Sequence, residues 1–141
     1  MMTIPYLEDL MRRFELQRVE KSEWTHEAHL AAAIWYNWHL SKDAALSKIR
    51  DLILAHNVAV GTPNSDTGGY HESITSFYMF VAQKFISQNK FHTVDEACNA
   101  FISSDVAGRD APLALWSKEL LFSTEARRNK VNPDRGFLEG F

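Results

Sequence analysis

Three histidines are the residues of this chain best suited to chemistry. His26 and His29 lie in Glu23-Trp24-Thr25-His26-Glu27-Ala28-His29, and His71 lies in Gly68-Gly69-Tyr70-His71-Glu72. Imidazole is the commonest metal ligand and the side chain that titrates unperturbed near neutral pH. A helical residue turns the wheel by about 100°. His26 and His29 therefore share an arc with Leu30, Ala33, Tyr36, Asn37 and Leu40. His71 shares one with Ile74, Thr75, Tyr78, Val81, Ala82 and Phe85. Ala33 and Ala82 are small enough to let two such stripes approach closely. If the stripes face each other, three imidazoles meet and leave a fourth position open, a ligand set for one divalent metal: zinc, iron or nickel. A metal-bound water would then support hydrolysis, and a neutral imidazole would serve as general base.

The neighbouring residues keep other readings open. Glu27 and Glu72 each lie about 100° from their histidine, where a carboxylate can orient an imidazole. Glu72 is equally placed to cap a helix start. Glu23 and His26 have the Glu-x-x-His spacing of di-iron bundles, but the chain carries no second copy. Tyr36, Thr75 and Tyr78 can satisfy buried histidines without any metal, or line a small-molecule pocket. Two helix N-termini pointing at the same place disfavour a cation and favour an anion. A metal centre, a metal-free polar pocket and a structural network all follow from these residues.

The segment Gly61-Thr62-Pro63-Asn64-Ser65-Asp66-Thr67-Gly68-Gly69 runs straight into the His71 helix. Backbone amides around Thr67, Gly68, Gly69 and Tyr70 can cradle a phosphate or carboxylate. The lysine and spacing of a P-loop are absent. The plainer alternative is a long turn with Asx-type bonds and an N-cap at Thr67 or Gly69.

Helical periodicity must position these groups. Pro5 opens a helix to about Arg18, with Leu7, Leu10, Met11 and Phe14 on one face. Thr25 caps a second, to about Leu40, that is apolar nearly all round and so belongs at the centre. Ser41 caps a third, with Leu46, Ile49, Leu52 and Ile53 inward, ending near His56-Asn57. Val58-Ala59-Val60 is a candidate strand without a partner. A fourth helix runs from about Tyr70 to Asn89, with Ile74, Phe77, Tyr78, Val81 and Phe85 facing in. Thr93 caps a fifth, to about Ser103. A sixth spans about Pro112 to Arg128, before an irregular tail. The expected fold is all-α: a single domain, residues 1–141, forming a bundle of about six helices with an ordered glycine-rich loop before the fourth.

Composition sets the remaining bounds. With 45% hydrophobic and 23% charged residues among 141, the chain can bury a core. A net charge of −3 gives no overall nucleic-acid footprint, although Ala126-Arg127-Arg128-Asn129-Lys130 is locally basic. One cysteine, Cys98, excludes an internal disulfide and reads as a small core residue. No apolar run approaches the roughly 20 residues of a membrane span, and no secretory signal is visible. A cytoplasmic protein is the expectation; if the histidines are only structural, a helical interaction or dimer protein follows, with a C2 homodimer as the default. The four tryptophans read as core or lining. His39, His56 and His92 read as surface or capping residues, and Arg127 and Arg128 as complements to a helix dipole.

The segments Glu23 to Leu30 (EWTHEAHL), Gly61 to Thr75 (GTPNSDTGGYHESIT) and Ala126-Arg127 with Val131-Asn132-Pro133-Asp134 together resemble a family of uncharacterised small bacterial proteins. The resemblance spans most of the chain and implies a compact helical protein of this length. It brings no catalytic roles, and it draws attention to the same three histidines.

Overall fold

Caps and apolar spacing set the helix boundaries. In the computed structural model, which describes all residues from Met1 to Phe141, α1 spans Ile4–Glu15, and Leu7, Leu10, Met11 and Phe14 are its buried stripe. Thr3 caps it by accepting from the Tyr6 amide. The second helix, α2 (His26–His39), is capped by Thr25, whose Oγ1 accepts from the Ala28 amide at 3.2 Å. Ala28, Leu30, Ala31, Ala32, Ala33, Ile34 and Tyr36 are all buried along it. An apolar surface on every side makes α2 the central post, and it packs against the third, fourth and fifth helices.

Ser41 caps α3 (Lys42–Ala59), which continues through Val58 and Ala59; the candidate strand there is helix instead. The fourth helix, α4, is Glu72–Gln88, and α5 is Val94–Ile102. The expected sixth helix is interrupted. Two 3₁₀ turns (Asp105–Ala107 and Ala111–Ala114) precede two short helices, α6 (Lys118–Leu121) and α7 (Thr124–Arg128). The break has a local cause: Ser117 and Ser123 each turn the chain extended and cap a new helix by accepting from Leu120 and Ala126 amides. Asp134 holds the first break open by accepting from Ser117 N at 2.7 Å and Ser117 Oγ at 2.6 Å.

The main core lies between α1, α2, α3, α4 and α5. A smaller one gathers Phe77, Trp116 and Leu121 under the C-terminal segment. No helix is long and apolar enough to cross a membrane.

The Gly61–Gly69 loop is ordered by its own side chains. Ser65 Oγ accepts from the Thr67 and Gly68 amides, and Asn64 Oδ1 accepts from the Tyr70 amide at 3.1 Å. Gly69 has φ +79°, and a Cβ there would fall 2.4 Å from the Pro63 carbonyl oxygen and 2.8 Å from Asn64 Cα. Gly61 has φ +76° but nothing within 4 Å of its would-be Cβ. Gly61→Ala is expected to cost about 1 kcal/mol of left-handed strain. Gly69→Ala adds a backbone clash and is expected to cost about 3 kcal/mol in urea unfolding. Equal losses at the two positions would refute the steric part of this account.

Candidate functional site

Each of the three histidines is held by a backbone carbonyl. Carbonyl oxygens only accept, so each bond fixes which ring nitrogen carries a proton. His71 is the N-cap of α4: its backbone is extended (φ −134°), and its Nδ1 accepts from the Ile74 amide at 3.1 Å. Its Nε2–H donates to the Leu121 carbonyl at 2.6 Å. Both nitrogens are engaged, and the side chain is buried. His26 Nε2–H donates to Ala107 O at 2.8 Å, across the chain to the first 3₁₀ turn. His29 Nδ1–H donates to Thr25 O at 2.7 Å, one turn back along its own helix.

The expected three-histidine metal set is therefore not assembled. His71 has no free nitrogen to offer, and no group of three or more His, Cys, Asp or Glu side chains is placed to hold a metal ion. With both His71 nitrogens committed, the three imidazoles do not form a ligand set for a divalent cation. The carboxylates beside the histidines are committed elsewhere. Glu72 forms a two-pronged pair with Arg50 (2.8 and 2.6 Å) and accepts from Tyr70 Oη at 2.6 Å. Glu23 pairs with Arg13 through two 2.7 Å bonds.

His29 is the imidazole left with a free face. Its ring lies on Trp24 at 4.2 Å between centroids, and Trp24 stacks in turn on Phe14 at 4.2 Å. Desolvation pushes its pKa down to about 4, reinforced by the positive fields of His26, His56 and Arg109 and opposed by the Thr25 carbonyl. At neutral pH its Nε2 is thus a bare acceptor. A base this weak is poorly matched to proton transfer near pH 7, and better matched to binding.

Two spaces meet at His29. The first is a cavity of about 270 Å³ between α2, α3 and α4, walled mainly by Leu30, Ala33, Ile49, Ile53, Ile74 and Met79. His26, His29, Thr75, Tyr78 and Arg109 supply its polar edge. The Tyr78 hydroxyl donates to Gly108 O at 2.6 Å, and burial pushes its pKa up to about 12. The second is a cleft of about 520 Å³ whose lining includes Lys21, Trp24, His29, His56, Thr62, Gly69, Tyr70, His71, Thr75 and Arg127.

No protein-family model, curated protein or solved structure matches this chain.

Among the residues expected to bind a ligand, Tyr78 lines the cavity, Thr75 lines both spaces, and Gly69 and Tyr70 line the cleft. Glu72 lines a surface basin with Arg50 and Arg128, which shares Tyr70 and Arg127 with the cleft. Thr67 and Gly68 line none of these spaces; their amides are turned onto Ser65. Tyr36 is a correction too. It is buried in the core and donates to Glu15 Oε2 at 2.9 Å, away from both spaces.

Four residues of the cleft carry weight that sequence reasoning missed. His56, expected at the surface, is 1% exposed, and its Nε2–H donates to Val19 O at 3.0 Å. That leaves its buried Nδ1 without a partner in the protein. Trp24 Nε1 and Arg127 Nε are also buried and unpartnered. Arg127 reaches back through Nη1 to the carbonyls of Gly69 (3.1 Å) and Tyr70 (3.2 Å), and meets no carboxylate. Lys21 stands in the same lining. The sequence signals are local: Trp24 stands two residues before His26, and Arg127 lies in the basic stretch Ala126 to Lys130.

Proposed function

We propose that this protein is a binding module for a small anion, held in the cleft lined by Trp24, His56 and Arg127. One observation carries the reading. Trp24, His56 and Arg127 line a single cleft that also holds Lys21 and no carboxylate, and each of the three carries a buried polar atom without a protein partner (Nε1, Nδ1 and Nε), in a chain whose net charge is −3. Buried polar groups left unpaired are rare and costly, about 1–3 kcal/mol each. A ligand that pairs them recovers that cost. Trp24 and Arg127 donate to anionic oxygens. His56 Nδ1 accepts from a water or hydroxyl brought in with the anion. His29 borders the ligand as a neutral acceptor, and His71 fixes the start of α4 beneath it.

Acetate and inorganic phosphate are suitable probes. Either one, at tens of millimolar, is expected to raise the thermal unfolding midpoint. Trp24→Phe keeps an aromatic ring against Phe14 and removes the N–H together with part of the indole, so it is expected to weaken binding at least tenfold by calorimetry, the worth of one hydrogen bond to a charged group. If neither ion binds, the three orphan atoms are served by water and the anion reading is wrong.

A further inference from the structure

We propose that the occupant is an amphipathic monocarboxylate: its carboxylate sits in the cleft and its short apolar body enters the adjoining cavity. This rests on the anion site proposed above. The two spaces share Trp24, His29, Ile53, Ile74 and Thr75 in their walls. On the cleft side of that shared wall stand Arg127 and Lys21; on the cavity side stand Leu30, Ala33, Ile49 and Met79, with Arg109 at the edge, and Trp24 belongs to both. An inorganic ion uses the polar side alone. A hydrocarbon uses the apolar side alone and leaves the buried N–H groups unpaired. A molecule with one anionic end and one apolar end satisfies both.

Size and charge narrow the class. A cavity of about 270 Å³ holds a short aliphatic or aryl group and excludes a long acyl chain. The cleft-lining residues Trp24 and Arg127 each carry one buried N–H without a partner, Nε1 and Nε. They match the two oxygens and single charge of a carboxylate. A phosphate dianion brings a third oxygen and a second charge to the same two donors.

The test is calorimetry on the full chain with acetate, butanoate, hexanoate and octanoate, and with 1-hexanol as a headless control. Affinity is expected to rise about fourfold for each added methylene, and to level off once the cavity is full. Hexanol is expected to bind at least tenfold more weakly than hexanoate. Ala33→Leu, which narrows the cavity, is expected to reduce the advantage of hexanoate over acetate. Trp24→Phe is expected to weaken every carboxylate by the same factor. If acetate binds and the longer acids bind no tighter, the cleft is an anion site alone and the amphipathic ligand is refuted. If hexanol matches hexanoate, the cavity acts without the head group, which also refutes it. If neither acetate nor hexanoate binds, it is the anion site that fails. Should Ala33→Leu not fold, the chain-length series in the unaltered protein decides the matter.

Discussion

Replacing His71 with alanine is expected to lower stability by about 2–4 kcal/mol in urea unfolding. Two losses combine. The Ile74 amide loses its cap, which for an N-cap side chain is worth about 1 kcal/mol. The buried Leu121 carbonyl loses its donor, a cost of about 1–3 kcal/mol because no water replaces it without opening the junction of α4 and α6. His71→Asn separates them. Asparagine is a good N-cap but is too short to reach Leu121 as well, so it is expected to recover about 1 kcal/mol of the loss. Zinc added to the unaltered protein is expected to leave the midpoint unchanged, since both ring nitrogens are already spoken for. A loss below about 0.5 kcal/mol for His71→Ala, or stabilisation by zinc that this variant abolishes, would show that the histidine is a ligand and not a strut.

The same residue shows what local sequence can and cannot convey. The stripe Leu7, Leu10, Met11 and Phe14 follows the helical repeat, and all four are buried. The all-round apolar surface of α2 announces its central place, and Thr25 and Ser41 cap the helices that follow them. Those features depend on residues within one or two turns of each other. His71 depends on Leu121, fifty positions away, and only that carbonyl decides which nitrogen is left to cap α4. His26 likewise answers to Ala107, and His56 to Val19. The interruption of the sixth helix is legible locally, because Ser117 and Ser123 are good N-cap residues inside an apparently continuous pattern. The anchoring of that break by Asp134 is not, since it needs the tail folded back. The cleft is hidden for a related reason. An unpaired N–H is a property of surroundings, and Trp24 differs from the other tryptophans only in what packs around it.

Acid is expected to destabilise this protein well before its carboxylates titrate. Desolvation holds His29 near a pKa of about 4, against 6.5 for a free imidazole, and burial also lowers the pKa of His71. Below pH 6.5 the unfolded chain takes up protons that the folded chain refuses, so stability falls as pH falls. The contribution is fully present above pH 6.5 and is lost progressively down to about pH 4. Each tenfold difference in proton affinity between the folded and unfolded chain is worth about 1.4 kcal/mol, so His29 alone accounts for roughly 3 kcal/mol, and His71 adds in the same direction. The carboxylates act in a lower window. Glu72 has a depressed pKa, with the Arg50 and Tyr70 hydrogen bonds outweighing its desolvation, and Glu23 is lowered by Arg13. Their stabilisation is present above the ordinary 4.5 and disappears only as pH falls through their folded values. A steep loss between pH 6.5 and 4.5 therefore belongs to histidine. His26, His56 and Arg109 sharpen it, because each makes a positive charge on His29 costlier. His29→Gln is expected to flatten the urea midpoint over this range by about one proton's worth of slope. An unchanged slope in that variant would mean that water reaches the ring freely. The ring of His29 would then be no part of a dry wall between the cleft and the apolar cavity.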